Sequence, residues 1–250
     1  MIGTSEKRVG VGSMKNWLLI VVLFYLILSI GNGYRKGLVK MIVSVAALFV
    51  TIVISRVAAP QVEEYLRQET KIYGQIQEKT EEYVDNILEE KLKNGLFSAS
   101  DQAYAIEQLP LPKYIRTALT KNNIETVYRA LGVSAFEDYI SGVLTEAAIR
   151  AIAFVISFLV VGIGVLVVSK LIEGIFKLPG LNWMNRMGGA LVGGLKALVI
   201  LWVLCLGVTA AAGTEVGQQI LGMVRESQLL SAIYNHNYLM DWISGIFEFF

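Results

Sequence analysis

Histidine and cysteine are almost absent from this chain: His236 and Cys205 are the only ones in 250 residues. One cysteine cannot close an internal disulfide, so cysteine usage says nothing about redox compartment. Cys205 also sits in an apolar run, which makes it a poor nucleophile. His236 has no second histidine or cysteine nearby. No metal site is therefore expected, and no cofactor site either. Asp and Glu are missing from the interiors of the apolar runs. That excludes an intramembrane aspartyl protease and argues against a proton- or ion-coupled transporter. There is no His-Glu-x-x-His, no Gly-x-Ser-x-Gly and no P-loop. The chain is not expected to be an enzyme. Charge is scarce overall, at 17% of residues, against roughly 25% in an average soluble domain.

What is abundant is apolar surface, 54% of the residues. Four runs are predicted to span a membrane. Asn16 to Ile30 carries no charge. Extended through Tyr34, it reaches the roughly 20 residues a span needs. A cleaved signal peptide is the alternative, with Ser29 and Gly31 as a small-x-small site. A second apolar run follows almost at once and argues against it. Gly31 to Gly37 reads as a tight, glycine-rich basic turn. Leu38 to Ala59 is the second span, and Pro60 follows its end. Ala151 to Ser169 is the third, with Gly162 and Gly164 near its middle. The fourth runs from about Met187 to Ala212.

The expected fold class is all-α: an integral membrane protein with four transmembrane helices in two hairpins, plus a helical soluble insert. Residues 1–15 form a flexible basic N-terminus and 16–59 the first hairpin. Residues 60–147 form the insert, 148–212 the second hairpin and 213–250 an amphipathic tail. The lipid bilayer is thus the first predicted partner. Nucleic acid is not one, because the basic residues border apolar runs and form no patch.

The insert is acidic, with fifteen Asp/Glu against nine Lys/Arg between Pro60 and Ala147. Its first part repeats apolar residues at helical spacing, from Val62 to Leu92, which predicts a long amphipathic helix or a bent pair. Asn94-Gly95 ends it. Leu109-Pro-Leu-Pro112 is a breaker. Short helices are predicted over Lys113 to Thr120 and Ile124 to Leu131. Ser134-Ala-Phe-Glu137 has capping-box spacing, and the helix it opens runs without a break into the third span. The tail carries Tyr234, Tyr238, Trp242 and Phe247. It suits an interfacial helix or an amphipathic helix packed on the insert.

The fourth span opens on the most distinctive stretch, Gly180-Leu-Asn-Trp-Met-Asn-Arg-Met-Gly-Gly-Ala-Leu-Val-Gly-Gly-Leu-Lys196. On a helix Gly189 and Gly193 share a face, and Ala190 and Gly194 repeat the spacing. Gly188, Gly189, Gly193, Gly194 and Gly162 are predicted helix-packing positions, either within one subunit or between copies in a homo-oligomer. Arg186 and Lys196 bracket the stripe. Lys196 is the only charged residue well inside an apolar run. It acts either as an interface anchor that snorkels or as a lysine turned inward, lining a cavity or pairing with Glu173.

Four spans put both termini and the insert on one side. The short turns carry Arg35, Lys36 and Lys40, and Lys170, Lys177 and Arg186. Short basic loops stay in the cytoplasm, so the insert and both ends are expected outside. The basic N-terminus argues the other way. A weak parallel duplication is also readable, each half being a span, a glycine-containing basic turn and a second span. Lys40 would then correspond to Lys196.

The arrangement resembles the colicin V production (CvpA) family of small bacterial inner-membrane proteins. Asn16-Trp17, Tyr34-Arg-Lys-Gly-Leu-Val-Lys40 and the stretch from Leu178 to Lys196 carry the resemblance. It covers the two hairpins, about half of the chain. The long insert between spans two and three looks like the Gram-positive version. The resemblance implies a multi-pass inner-membrane protein tied to toxin secretion and envelope integrity, and it defines no catalytic residue.

Two functional readings follow. The first is a non-enzymatic accessory protein supporting colicin V-like toxin production or export and envelope homeostasis, its insert contacting an envelope protein partner. The second is a small oligomeric channel or transporter with basic residues at its cytoplasmic mouth. The apparent lack of a polar face on any span favours the first.

Overall fold

The computed structural model describes residues 16–92, 99–109, 111, 113–121, 123, 136–173 and 183–240. Every regular element among them is an α-helix. They are α1 (Trp17–Lys36), α2 (Leu38–Gln68), α3 (Ile72–Leu92), α4 (Ala99–Gln108), α5 (Lys113–Lys121), α6 (Phe136–Glu173), α7 (Trp183–Ala210), α8 (Glu215–Glu226) and α9 (Gln228–Asn235). Four of these, α1, α2, α6 and α7, are long and apolar enough to cross a membrane.

Local sequence explains the helix ends. Asn16 caps α1, its Oδ1 accepting from the Leu19 N–H at 3.0 Å. An amide side chain there satisfies one of the donors a helix start leaves open. Arg35 and Lys36 close the same helix, at the end where cations suit its dipole. The basic turn expected over Gly31 to Gly37 is far shorter than that. Helix continues through Lys36, and Gly37 alone makes the break with φ 78°. A side chain at that φ would strain the backbone, so glycine fits where no other residue does as well.

Pro60 does not end the second span as expected. It sits inside α2, which runs on to Gln68. Proline cannot donate to the carbonyl four residues back, yet the 31 residues stay helical. At 1.5 Å per residue α2 is about 46 Å long and α6, with 38 residues, about 57 Å. A bilayer core takes about 30 Å. Both helices therefore project well past it on the insert side and form a two-helix stalk. The uninterrupted run from insert into third span is the observed α6. The fourth helix opens at Trp183, before the expected Met187.

The insert packs around this stalk. Ile106 and Leu119 join Tyr139, Ile140 and Phe154 of α6 in one buried cluster. The expected bent pair is α2 and α3, broken between Gln68 and Ile72. The helix expected over Ile124 to Leu131, the Asn94-Gly95 stop and the Ser134 cap lie outside the described residues.

The largest contacts between spans are not those between sequence neighbours. α1 makes its main contact with α7 and touches its sequence neighbour α2 only slightly. α2 packs chiefly on α6 and next on α7. α7 thus lies between α1 and α2. The described part of the tail packs on the spans and touches the insert. Leu221, Val224, Leu230 and Tyr234 cluster with Val22 of α1 and Leu201 of α7. The Asn16 Nδ2 donates to the Met223 carbonyl at 2.6 Å, tying the start of α1 to α8. The Trp202 indole N–H donates to the Ile233 carbonyl at 3.2 Å. Asn235 Oδ1 accepts from the Lys113 N–H of the insert at 3.2 Å.

Candidate functional site

Two helices built on small residues meet in the membrane part. α1 contributes Ser29 and Gly33, with Gly37 just past its end, and α7 contributes Gly189 and Gly193. Each set repeats every four residues, so each occupies one helix face. A Cβ added at Gly193 would stand 2.6 Å from the Ser29 carbonyl oxygen. One at Gly189 would stand 2.7 Å from the Gly37 carbonyl carbon, and one at Gly33 would stand 3.0 Å from the Gly193 Cα. Backbone meets backbone, and no side chain has room. Small residues allow such an approach between spans, where van der Waals contact drives association.

Of the other expected packing glycines, Gly188 faces the Leu38 side chain and Gly194 faces Ile30. Gly162 looks towards the Thr51 methyl at 3.6 Å. None of these three meets backbone. The stripe on α7 thus lies within one subunit, against α1. The complementary stripe was legible as Ser29, Gly33 and Gly37 at spacing four, but the same glycines also spell a turn.

The charged residues cluster at the end of this seam. Arg35, Lys36, Lys40 and Arg186 are exposed, and Lys196 is half-buried. Lys196 reaches across to α2, where its Nζ donates to Ser44 Oγ at 2.5 Å. Ser44 lies six residues into α2, about 9 Å from its start. Lys36 is close enough to act on Lys196 electrostatically. Arg186 stands over the Tyr34 ring, 5.9 Å from its centre, within cation–π range. The Asn185 Oδ1 accepts from the Val39 N–H at 3.3 Å and fixes the head of α7 to the head of α2. The side chain of Glu173, the suggested partner of Lys196, lies outside the described ones. Lys40 and Lys196, equated by the suggested duplication, stand in different surroundings.

α2 also carries the polar face that the sequence reading missed. Ser44, Thr51 and Ser55 fall on one stripe at heptad-like spacing. Thr51 and Ser55 are buried, as is Ser157 of α6. Each of these three hydroxyls donates to a carbonyl of its own helix, at 2.9, 2.6 and 2.8 Å.

At the opposite end, Arg67 of α2 grips Glu146 of α6. Its Nη1 donates to Glu146 Oε1 at 3.0 Å, and its Nη2 donates to Glu146 Oε2 and, at 2.8 Å, to Glu63 Oε1. Arg150 Nε lies 3.9 Å from Glu63 and 4.0 Å from Glu146. Two arginines and two glutamates thus balance in one network across the stalk. Sequence reasoning missed it, although Glu-x-x-x-Arg occurs at both 63–67 and 146–150. Among the described residues no group of three His, Cys, Asp or Glu side chains could hold a metal ion.

Four spanning helices joined to a helical insert define a multi-pass helical membrane protein. Residues 126–237 match the family model described as Colicin V production protein. Over this segment the chain is similar to that family. The match covers less than half of the 250 residues and takes in α6, α7 and the two tail helices. No curated protein and no solved structure matches the chain.

Proposed function

We propose that this is a non-enzymatic protein of the bacterial inner membrane that supports production or export of a colicin V-like toxin and envelope homeostasis. The match over residues 126–237 carries this reading. The membrane helices hold the insert, and the insert and tail engage an envelope protein outside the cytoplasm. The stalk supports that division of labour, because α6 transmits the insert into the bilayer as one helix. A pull-down with the full-length protein, comparing wild type with a version lacking residues 99–121, tests it. A partner held equally by both forms sinks the docking role of the insert.

One observation favours a second reading, a small oligomeric channel. The Ser44, Thr51 and Ser55 stripe on α2, headed by Lys196, is a polar face on a span. Its buried hydroxyls are already bonded within their own helices, which weakens it as a path. Conductance of purified protein in liposomes decides. Ion flux whose selectivity changes in Lys196→Ala would replace the accessory reading with the channel.

A further inference from the structure

The end of the bundle around Gly37 is rich in positive charge and poor in acids. Residues 31–44 and 166–200 contain seven Lys/Arg against one acidic residue, Glu173. Among the described side chains, none of Arg35, Lys36, Lys40, Arg186 or Lys196 pairs with a carboxylate. Acids are plentiful elsewhere in the chain, so this is a matter of placement.

The arrangement is also graded in depth. Lys36 ends α1, Lys40 stands just inside α2, and Lys196 sits one turn deeper, held on Ser44. α1 and α2 leave Gly37 as separate helices with α7 between them. The lysines therefore converge on that junction from three helices. At similar heights, Ile42 and Val43 of α2 and Leu191 and Leu195 of α7 are exposed apolar residues. A ligand that fits must be anionic at the membrane surface and apolar below it. Its charge must reach the interface, and its body must lie along a span.

We propose that this junction is a binding site for an anionic phospholipid. Its phosphate lies among Lys36, Lys40 and Lys196, and its acyl chains lie along the apolar faces of α2 and α7. Basic pockets between spans on the cytoplasmic side suit such headgroups. Lys196 supplies what a plain topology anchor does not: a fixed donor below the surface, set by a hydrogen bond to a second helix. The site is independent of the toxin-related role and of any partner of the insert.

Purified full-length protein in a neutral detergent tests the proposal. Bound lipid is counted by native mass spectrometry as phosphatidylglycerol or phosphatidylcholine is added. The expected result is saturable binding of phosphatidylglycerol over phosphatidylcholine. Each lysine removed should weaken it about fivefold, in Lys40→Gln and in Lys36→Gln/Lys196→Met. Lys79→Gln, on the insert, should leave it unchanged. Lys40 is exposed, so Lys40→Gln keeps the test alive if the double variant fails to fold. Equal binding of both lipids overturns the proposal, as does undiminished binding in Lys40→Gln. Inorganic phosphate competing at the same concentration as the lipid would also overturn it, by showing that the phosphate needs no lipid.

Discussion

Arg67 and Glu146 form a two-pronged ion pair between α2 and α6, the two helices that carry the insert out of the membrane part. Residues 79 positions apart in sequence are thereby set in register. Glu63 and Arg150 close the network, and Arg67 also stands over the Tyr73 ring of α3, 4.9 Å from its centre. A forked arginine–carboxylate contact fixes direction as well as distance.

The network should be measurable by a double-mutant cycle. Arg67→Ala and Glu146→Ala should each lower the unfolding midpoint in detergent. Their coupling should be on the order of 1 kcal/mol, because both side chains are about a third exposed and water screens the pair. Raising salt to 1 M should shrink the coupling. Strict additivity would mean that the pair orients nothing.

The α1–α7 seam predicts a contrast between neighbouring glycines. Gly193→Ala drives a methyl into the Ser29 carbonyl, whereas Gly194→Ala meets only the Ile30 side chain at 3.5 Å. The first should cost about 1–3 kcal/mol or more, as overpacking does, and the second well under that. A cysteine pair bridging α1 and α7 should crosslink in wild type and in Gly194→Ala, and poorly in Gly193→Ala. Equal behaviour would show that the helices separate freely.

Orientation is open to a labelling test. Gln77 is exposed on α3, so Gln77→Cys should react with an impermeant thiol reagent from outside intact cells. The native Cys205, within α7, should stay unlabelled. Reaction at position 77 only after permeabilisation would invert the topology and move the basic turns to the outer face.

Docking of the tail should depend on pH in one direction. Burial raises the Tyr234 phenol above the ordinary tyrosine value, while its hydrogen bond with Thr209, 2.8 Å long, pulls the other way. The folded tail thus favours the protonated phenol. Its contribution is full below about pH 10 and is lost as pH rises beyond that. Tyr234→Phe should lose about 1 kcal/mol at neutral pH. It should also remove the part of the alkaline destabilisation that belongs to this residue. A wild type and variant with parallel profiles above pH 10 would leave the phenol without that role.

The four spans were legible because an apolar run of span length has few alternative meanings. Trp17–Lys36 and the unbroken α6 follow directly from that signal. Local chemistry did less well where two rules compete. Gly33 and Gly37 fit both a turn and a packing stripe, and only the opposing α7 shows that Gly33 is helical and packed while Gly37 makes the break. Pro60 reads as a stop, yet helix on both sides carries through it. The polar face of α2 was hidden because its hydroxyls are seven and four residues apart and diluted by leucine and valine. Nothing in the sequence pairs Glu63 and Arg67 with Glu146 and Arg150. That depends on which spans are neighbours, and the order α1–α7–α2 runs against the chain.

That order also has a consequence for how the protein is made. α1 leaves the ribosome ahead of its seam partner α7, which begins almost 150 residues after α1 ends. At roughly 5–20 residues per second, the delay is on the order of ten seconds. Through that interval the bare glycine face of α1 is available to any small-residue helix in the same bilayer. The glycine face of α1 stays vacant until α7 arrives.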